Sequence, residues 1–453
     1  MLISQFFVLY CIFLLILIKL NGTIVNSTVI IEGGLKMNNK NKDILIIGFA
    51  LFAMFFGAGN LIFPPYLGHA IGSEYIIGML GFIITGVGLP LLAILSCLKG
   101  DGTFETIASK IGPKFSIIFA SILFIAIGPM LGIPRTAATT FEITIQPLFP
   151  SFSPILFMII YFAFNLIFVL NKSSVIDTIG KYLTPTLIVI LSFVIIKGII
   201  VPLGEISTTG ATSVLSNSLI EGYQTMDALA ALLFAAVVTN SLKEKGYNKD
   251  QMIPMALRAS IIAALGLAFV YGGLTILGAQ TTTLVSTNIS KTSLLLFIAH
   301  GVLGNIGRTI IAIAMSLACL TTSIGLLTAG SSFFEKVSKG KLPYKVNAVI
   351  ISIISIVIGA LGVDNIIKIS GPILNILYPV AITLIITTLL NKYFTNIKAI
   401  RLGIYTSLIF GILAEIKVFD LSFIPLASLG FAWLIPTILS ITFYSVISKY
   451  KKI

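Results

Sequence analysis

A long apolar stretch starting near residue 43 is interrupted by Met54-Phe55-Phe56-Gly57-Ala58-Gly59-Asn60-Leu61-Ile62-Phe63-Pro64-Pro65. No other feature limits so strongly what the chain can fold into. The apolar residues predict a bilayer-crossing helix, whereas the glycines, the asparagine and the paired prolines predict that it breaks partway. In hydrocarbon every backbone N–H and C=O needs a partner, so a break is tolerated only against protein or a polar cavity. Broken spanning helices build binding sites near the bilayer midplane in many secondary transporters. A close helix contact through small residues is the competing reading; G-x-G followed by Asn and Pro-Pro fits it less well.

The rest of the chain agrees with a membrane setting. Of its 453 residues 57% are hydrophobic and 10% charged, against about 25% charged in soluble domains, and the mean hydropathy is +1.08. The class is therefore an all-α polytopic membrane protein. Twelve transmembrane helices are read at roughly 43–66, 75–98, 115–145, 154–170, 183–202, 222–242, 256–278, 306–330, 345–362, 372–390, 401–416 and 425–447. This even number puts both ends of the core on one side. Of the 29 Lys and Arg residues, 21 then fall on the side of Lys40 and Lys42 and 5 on the other. By the positive-inside rule that side is cytoplasmic. The net charge of +13 is thus a topology signal and needs no nucleic acid to explain it.

Cys11, Cys97 and Cys319 all lie in apolar segments without disulfide or zinc spacing, which predicts buried, inert thiols. His69, after the Pro-Pro pair, reads as a loop residue rather than a ligand. Residues 1–36 form an N-terminal extension: Leu2 to Leu20 is apolar enough for an extra helix, yet no basic residue precedes it as in a secretory signal. Met37, followed by Asn38-Asn39-Lys40-Asn41-Lys42, reads as the start of translation. Residues 37–453 are expected to form one transporter domain. The predicted outer loop 279–305 carries an apolar run, Leu294 to Ala299; a short helix over the outer entrance and an interfacial segment fit it equally.

Four groups of residues are candidates for chemistry. Carbonyls from Ala53 to Phe56 end the first half-helix, and amides near Ala58, Gly59 and Asn60 start the second. Such opposed ends hold a cation beside a carboxylate. Ala318-Cys319-Leu320-Thr321-Thr322-Ser323 places hydroxyls in the eighth span; these are oxygen donors for a hard cation, or they bond their own helix carbonyls. Ionisable residues inside spans are functional candidates by default. Asp227, opening the sixth span after Thr225, faces a substrate ammonium or cation, or is an ordinary near-surface helix charge. Arg135 and Glu142, seven apart on one helix face near its outer end, read as an outer gate or as a snorkelling interface pair. Ser370-Gly371-Pro372 with Pro379 is a hinge, or a helix start with proline in its first turn.

At these motifs the chain resembles the branched-chain amino acid:cation symporter family. The likeness rests on Phe55 to Pro65, Gly128-Pro129 with Pro134-Arg135-Thr136, Tyr223 with Thr225-Met226-Asp227-Ala228-Leu229-Ala230, and Gly371-Pro372-Ile373-Leu374 with Tyr378-Pro379. It implies uptake of leucine, isoleucine and valine with sodium, or less often protons, and a LeuT-like plan of two inverted five-helix repeats. Here the repeats would be 43–202 and 222–390, with discontinuous helices 1 and 6 and two extra helices in 401–447. Residues 225–241 contain neither glycine nor proline, so the second break has no clear position. By the same resemblance the cation meets Ala53, Phe56, Ala318, Thr321 and Thr322. The substrate would meet Gly57, Ala58, Gly59 and Asn60, with its ammonium near Thr225 and Asp227.

No G-x-S-x-G, Walker A or His/Cys/carboxylate pattern is present, so an enzyme is not expected. Nor is a cofactor beyond sodium as coupling ion, or an obligate protein partner. A channel would show a filter motif, and a sensor a soluble output domain. The expectation is a cell-membrane transporter of leucine, isoleucine and valine.

Overall fold

The structure is a computed structural model describing residues 39–170, 184–416 and 419–450. The extension at 1–36 and Cys11 lie outside the described residues.

The first interrupted span is helix α1 (Asn39–Phe55) followed by α2 (Ala58–Ile71). Next come α3 (Tyr75–Ile83) and α4 (Leu89–Leu98), joined by a wide π turn over Ile84–Gly88, and the short α5 (Phe104–Ser109). Helix α6 (Pro113–Ile125) continues through the π segment Ala126–Gly132 into α7 (Ile133–Thr140) and a further π turn, Phe141–Ile145. Helices α8 (Pro154–Leu170), α9 (Thr184–Ile200), α10 (Val214–Tyr223), α11 (Asp227–Glu244) and α12 (Lys249–Ala279) follow. The chain ends with α13 (Lys291–Val337), α14 (Tyr344–Gly359), α15 (Val363–Leu389), α16 (Ile397–Ile416) and α17 (Leu434–Tyr450). Among the described residues, seven helical runs are long and apolar enough to cross a membrane by length and composition, and four shorter apolar helices accompany them.

Helix α14 shows why this bundle suits lipid. Val346, Ile350, Ile353 and Val357 are exposed, while Asn347, Ser352 and Ser355 on the opposite face are buried. The exposed set recurs every three or four residues and makes one apolar stripe. Polar groups inside and aliphatic groups outside invert the arrangement of a water-soluble helix.

Several expectations are corrected. The sixth span begins with α10 at Val214 rather than at 222, and the tenth at Val363 rather than 372. Pro372 and Pro379 therefore lie inside α15 and do not open it. Of the expected outer loop 279–305, residues from Lys291 onward are helical, forming the start of α13 up to a kink at Gly304 (φ 66°, ψ −150°), in line with the short-helix alternative. Leu294, Leu295, Ile298 and Ala299 are buried there, so this segment packs on protein. His69 is a buried residue of α2 whose Nδ1 meets Thr281 Oγ1 at 2.9 Å; it is not in a loop. Cys97 and Cys319 are free and buried, as expected.

Helices α2 and α12 lie in backbone contact. A Cβ at Gly68 would sit 1.9 Å from Thr275 O, and one at Gly278 would sit 1.9 Å from Pro65 O. Neither obstacle is a flexible side chain, and overpacking of this kind costs about 1–3 kcal/mol or more. Gly278→Val is therefore expected to abolish the single sharp peak of the detergent-solubilised protein in size-exclusion chromatography. A normal peak would show that this seam can open.

Candidate functional site

Helix α1 ends because Gly57 is extended (φ −113°, ψ −158°). Its N–H donates to Asn60 Oδ1 at 3.0 Å, so the Asn60 side chain caps the start of α2 from within. Pro64 and Pro65 stay inside α2 but bring no N–H to bond the carbonyls four residues back. The second break lies between α10 and α11, at Gln224 to Met226. It uses no glycine: Met226 adopts the left-handed conformation (φ 65°, ψ 6°), which is uncommon outside glycine and clusters at functional sites. Thr225 Oγ1 accepts from Asp227 N at 3.3 Å and donates to Gly222 O at 2.9 Å, bridging the gap.

A buried hydrogen-bonded cluster links the two breaks. Asn60 Nδ2 donates to Asp227 Oδ2 at 2.6 Å, and Tyr271 Oη on α12 donates to the same oxygen at 2.7 Å. Asn60 Nδ2 also donates to Tyr271 Oη. Asp227 is only 2% exposed, so it is not a near-surface helix charge. Removing a buried carboxylate from water is expensive, and these donors offset part of that cost.

Arg135 is 3% exposed. Its Nη1 donates to Gln224 O at 2.7 Å and its Nη2 to Thr225 O at 3.3 Å, both in the second break. The guanidinium carbon stands 5.3 Å from the centre of the Phe63 ring. A Cβ on Gly59 would lie 2.8 Å from Nη2, so only glycine fits at that position without displacing the arginine.

Thr321 Oγ1 and Thr322 Oγ1 donate to Ala53 O at 3.1 and 3.2 Å, and Thr321 Oγ1 also reaches Ala318 O at 3.0 Å. A Cβ at Gly57 would sit 3.0 Å from Thr322 Oγ1. Neighbouring oxygens around a hard cation at about 2.4 Å are about 3.4 Å apart, so this oxygen set needs to widen only slightly to hold one. Phe56 O bonds neither threonine among the described hydrogen bonds. The structure thus gathers Ala53, Ala318, Thr321 and Thr322, and leaves Phe56 less well defined.

Gly57, Ala58, Asn60, Arg135, Thr225, Asp227 and Thr322 line one cavity of about 20 Å³, room for about one water. Met54 lies on its wall and also on that of a cavity of about 800 Å³ reaching Asn240, Lys243, Lys245 and Lys336. Near that basic end Tyr247 Oη donates to Asp43 Oδ2 at 2.6 Å. The Asp43 carboxylate, accepting this bond, pushes the Tyr247 pKa up to about 12. The protonated phenol is thereby favoured on folding. Its contribution is full below about pH 10 and is lost as pH rises through about 12.

Elsewhere the start of α13 packs on α2 and α10. Lys291 Nζ pairs with Glu221 Oε1 at 3.1 Å and lies 3.3 Å above the Tyr66 ring. Glu142 Oε2 accepts from Thr292 Oγ1 at 3.1 Å and Oε1 from Val363 N at 2.8 Å. Glu142 therefore ties α13 to α15, whereas Arg135 sits beside the breaks. The two do not act as one pair at the outer end of a helix.

Two interrupted helices facing each other inside an apolar helical bundle define the LeuT-like transporter fold. The chain superposes on Mhp1, a nucleobase-cation-symport-1 family transporter in a closed conformation with bromovinylhydantoin bound. The TM-score is 0.63 at 13% identity, covering 90% of this chain and 93% of that one. It also matches MhsT in complex with L-phenylalanine, with TM-score 0.54 and 18% identity over 88% of this chain and 98% of that one. The profile of the family described as branched-chain amino acid transport protein matches residues 40–451, and the chain belongs to that family. It is 37% identical over 417 residues to branched-chain amino acid permease BraB of Bacillus subtilis (strain 168), covering 88% of this chain and 93% of that one. It is 38% identical over 415 residues to branched-chain amino acid permease BrnQ of the same strain, covering 87% and 94%.

Sequence reasoning missed Tyr271 and Gln224. A phenol in the middle of an apolar span needs a hydrogen-bond partner, and that was the available signal for Tyr271. Nothing local marked Gln224, whose backbone carbonyl is what matters.

Proposed function

We propose that this protein is a secondary active transporter that imports leucine, isoleucine and valine together with Na+ by alternating access across the cytoplasmic membrane. The observation that carries this reading is the meeting of two helix breaks at one buried, polar cavity. Family membership supports the substrate class, since its relatives are branched-chain amino acid permeases. In this reading twelve spans form two inverted five-helix repeats plus two more helices, with the core termini in the cytoplasm. The substrate carboxylate meets the first amides of α2 at Ala58 and Gly59, and the ammonium meets Asp227 and the carbonyls near Thr225. Sodium takes the place beside Ala53, Thr321 and Thr322.

The broad cavity opens toward Lys243, Lys245 and Lys336, residues of the expected cytoplasmic side. In this reading the conformation is one facing inward. A branched aliphatic side chain is recognised by burial, worth about 0.8 kcal/mol per methylene. The three substrates should therefore compete closely.

The test is radiolabelled leucine uptake in proteoliposomes. An inward sodium gradient is expected to drive accumulation above the equilibrium level; equal uptake with and without it would remove sodium coupling. Proton coupling is the second reading, favoured by the buried Asp227 carboxylate among hydroxyl and amide donors. Accumulation driven by a pH gradient alone would select it.

A further inference from the structure

Arg135 is a buried cation with two of its five N–H groups engaged, both by backbone carbonyls. Among the described residues no carboxylate lies within ion-pair distance of it. A buried charge without a contact ion pair is poorly compensated; two neutral carbonyls and the more distant Asp227 carboxyl offset only part of that cost. The guanidinium lines the same small cavity as Asp227 and the first residues of α2, and its Nη2 stands against Gly59.

We infer that Arg135 is the residue that selects for the substrate's carboxylate. Its remaining N–H groups, together with the amide N–H groups at the start of α2, receive one carboxylate. Asp227 across the cavity receives the ammonium. The site therefore brings one cationic group and one carboxyl group to the same cavity, which has room for about one water in this conformation and must widen to admit a ligand; the ligand class the two groups match is a free zwitterionic α-amino acid. An amine lacking the carboxylate leaves Arg135 unpaired. Gly59 serves the same end, because any side chain there occupies the space beside Nη2.

Two carbonyls also make Arg135 a staple of the second break, and the experiment separates the two roles. This inference rests on the transport reading, so wild-type protein is measured first. Purified protein is titrated with leucine and with leucinamide, which keeps the side chain and the ammonium but has no carboxylate. Wild-type protein is expected to favour leucine strongly. In Arg135→Gln the affinity for leucine should fall roughly 10- to 100-fold, the size of a lost charge-assisted hydrogen bond. The affinity for leucinamide should stay within about threefold, so that the preference collapses.

Equal losses for both ligands, or an unchanged preference, would overturn the assignment and leave Arg135 as a staple only. Arg135→Lys keeps the charge without the fork and should retain part of the preference. If Arg135→Gln does not fold, a lysine variant with lower affinity for leucine alone supports the inference, and one that weakens both ligands equally overturns it. Wild-type protein that binds none of the three aliphatic amino acids would instead sink the transport reading itself, and this inference with it.

Discussion

Replacing Thr321 and Thr322 together by alanine is expected to raise the sodium concentration for half-maximal leucine uptake by tenfold or more, roughly the loss seen when a metal site's supporting groups are removed. The two hydroxyls converge on Ala53 O from a different helix, at 3.1 and 3.2 Å. Threonine hydroxyls in helices more often satisfy themselves on their own chain, as Thr321 also does through Ala318 O. Convergence on the broken end of α1 is what a local bond does not explain. The leucine KM at saturating sodium should move much less than the sodium dependence. Unchanged sodium dependence in a folded double variant would show that the cation lies elsewhere.

Asp227→Asn should lower leucine uptake by about 100-fold, corresponding to about 3 kcal/mol of charge-assisted hydrogen bonding. The substitution keeps the side chain's size but removes the charge that accepts from both Asn60 Nδ2 and Tyr271 Oη. It also introduces an amide NH2 among groups that already donate, so one donor is left unsatisfied in a buried place. Sodium-driven and proton-driven uptake should be measured side by side. Loss of both fits Asp227 as the ammonium partner, loss of the proton-driven component alone fits the second reading, and full activity excludes both roles.

How much of this was readable in advance differs residue by residue. The first break was plain, because G-x-G with Asn and Pro-Pro is incompatible with an unbroken helix in lipid and Gly57 is indeed extended. The second break was hidden because backbone strain at Met226, rather than glycine, makes the turn. Stored strain of that kind leaves no mark in composition. Arg135 and Glu142 read as one pair because they are seven apart on a segment taken as a regular helix, and as an outer pair because that span runs outward. Glu142 sits in the π turn Phe141–Ile145 whereas Arg135 sits in the regular α7, so no single period relates the two side chains. Span edges slipped for a similar reason: α10 and α15 extend through polar starts at Val214 and Val363 that a hydropathy reading trims away. Tyr271 and Asp227 are 44 residues apart in the chain, and nothing local announces their meeting.

The interlock of α2 with α12 through Gly68 and Gly278 bears on how such a molecule moves. With main chain touching main chain over about one turn, Pro65 to Gly68 against Thr275 to Gly278, neither rod has room to slide or roll there against its neighbour. Whatever swings during a turnover must carry the pair as a single lever, and the hinges then belong to the gaps at Gly57 and Met226. Spin labels straddling the seam should hold a constant separation through the cycle, while labels straddling either gap should not.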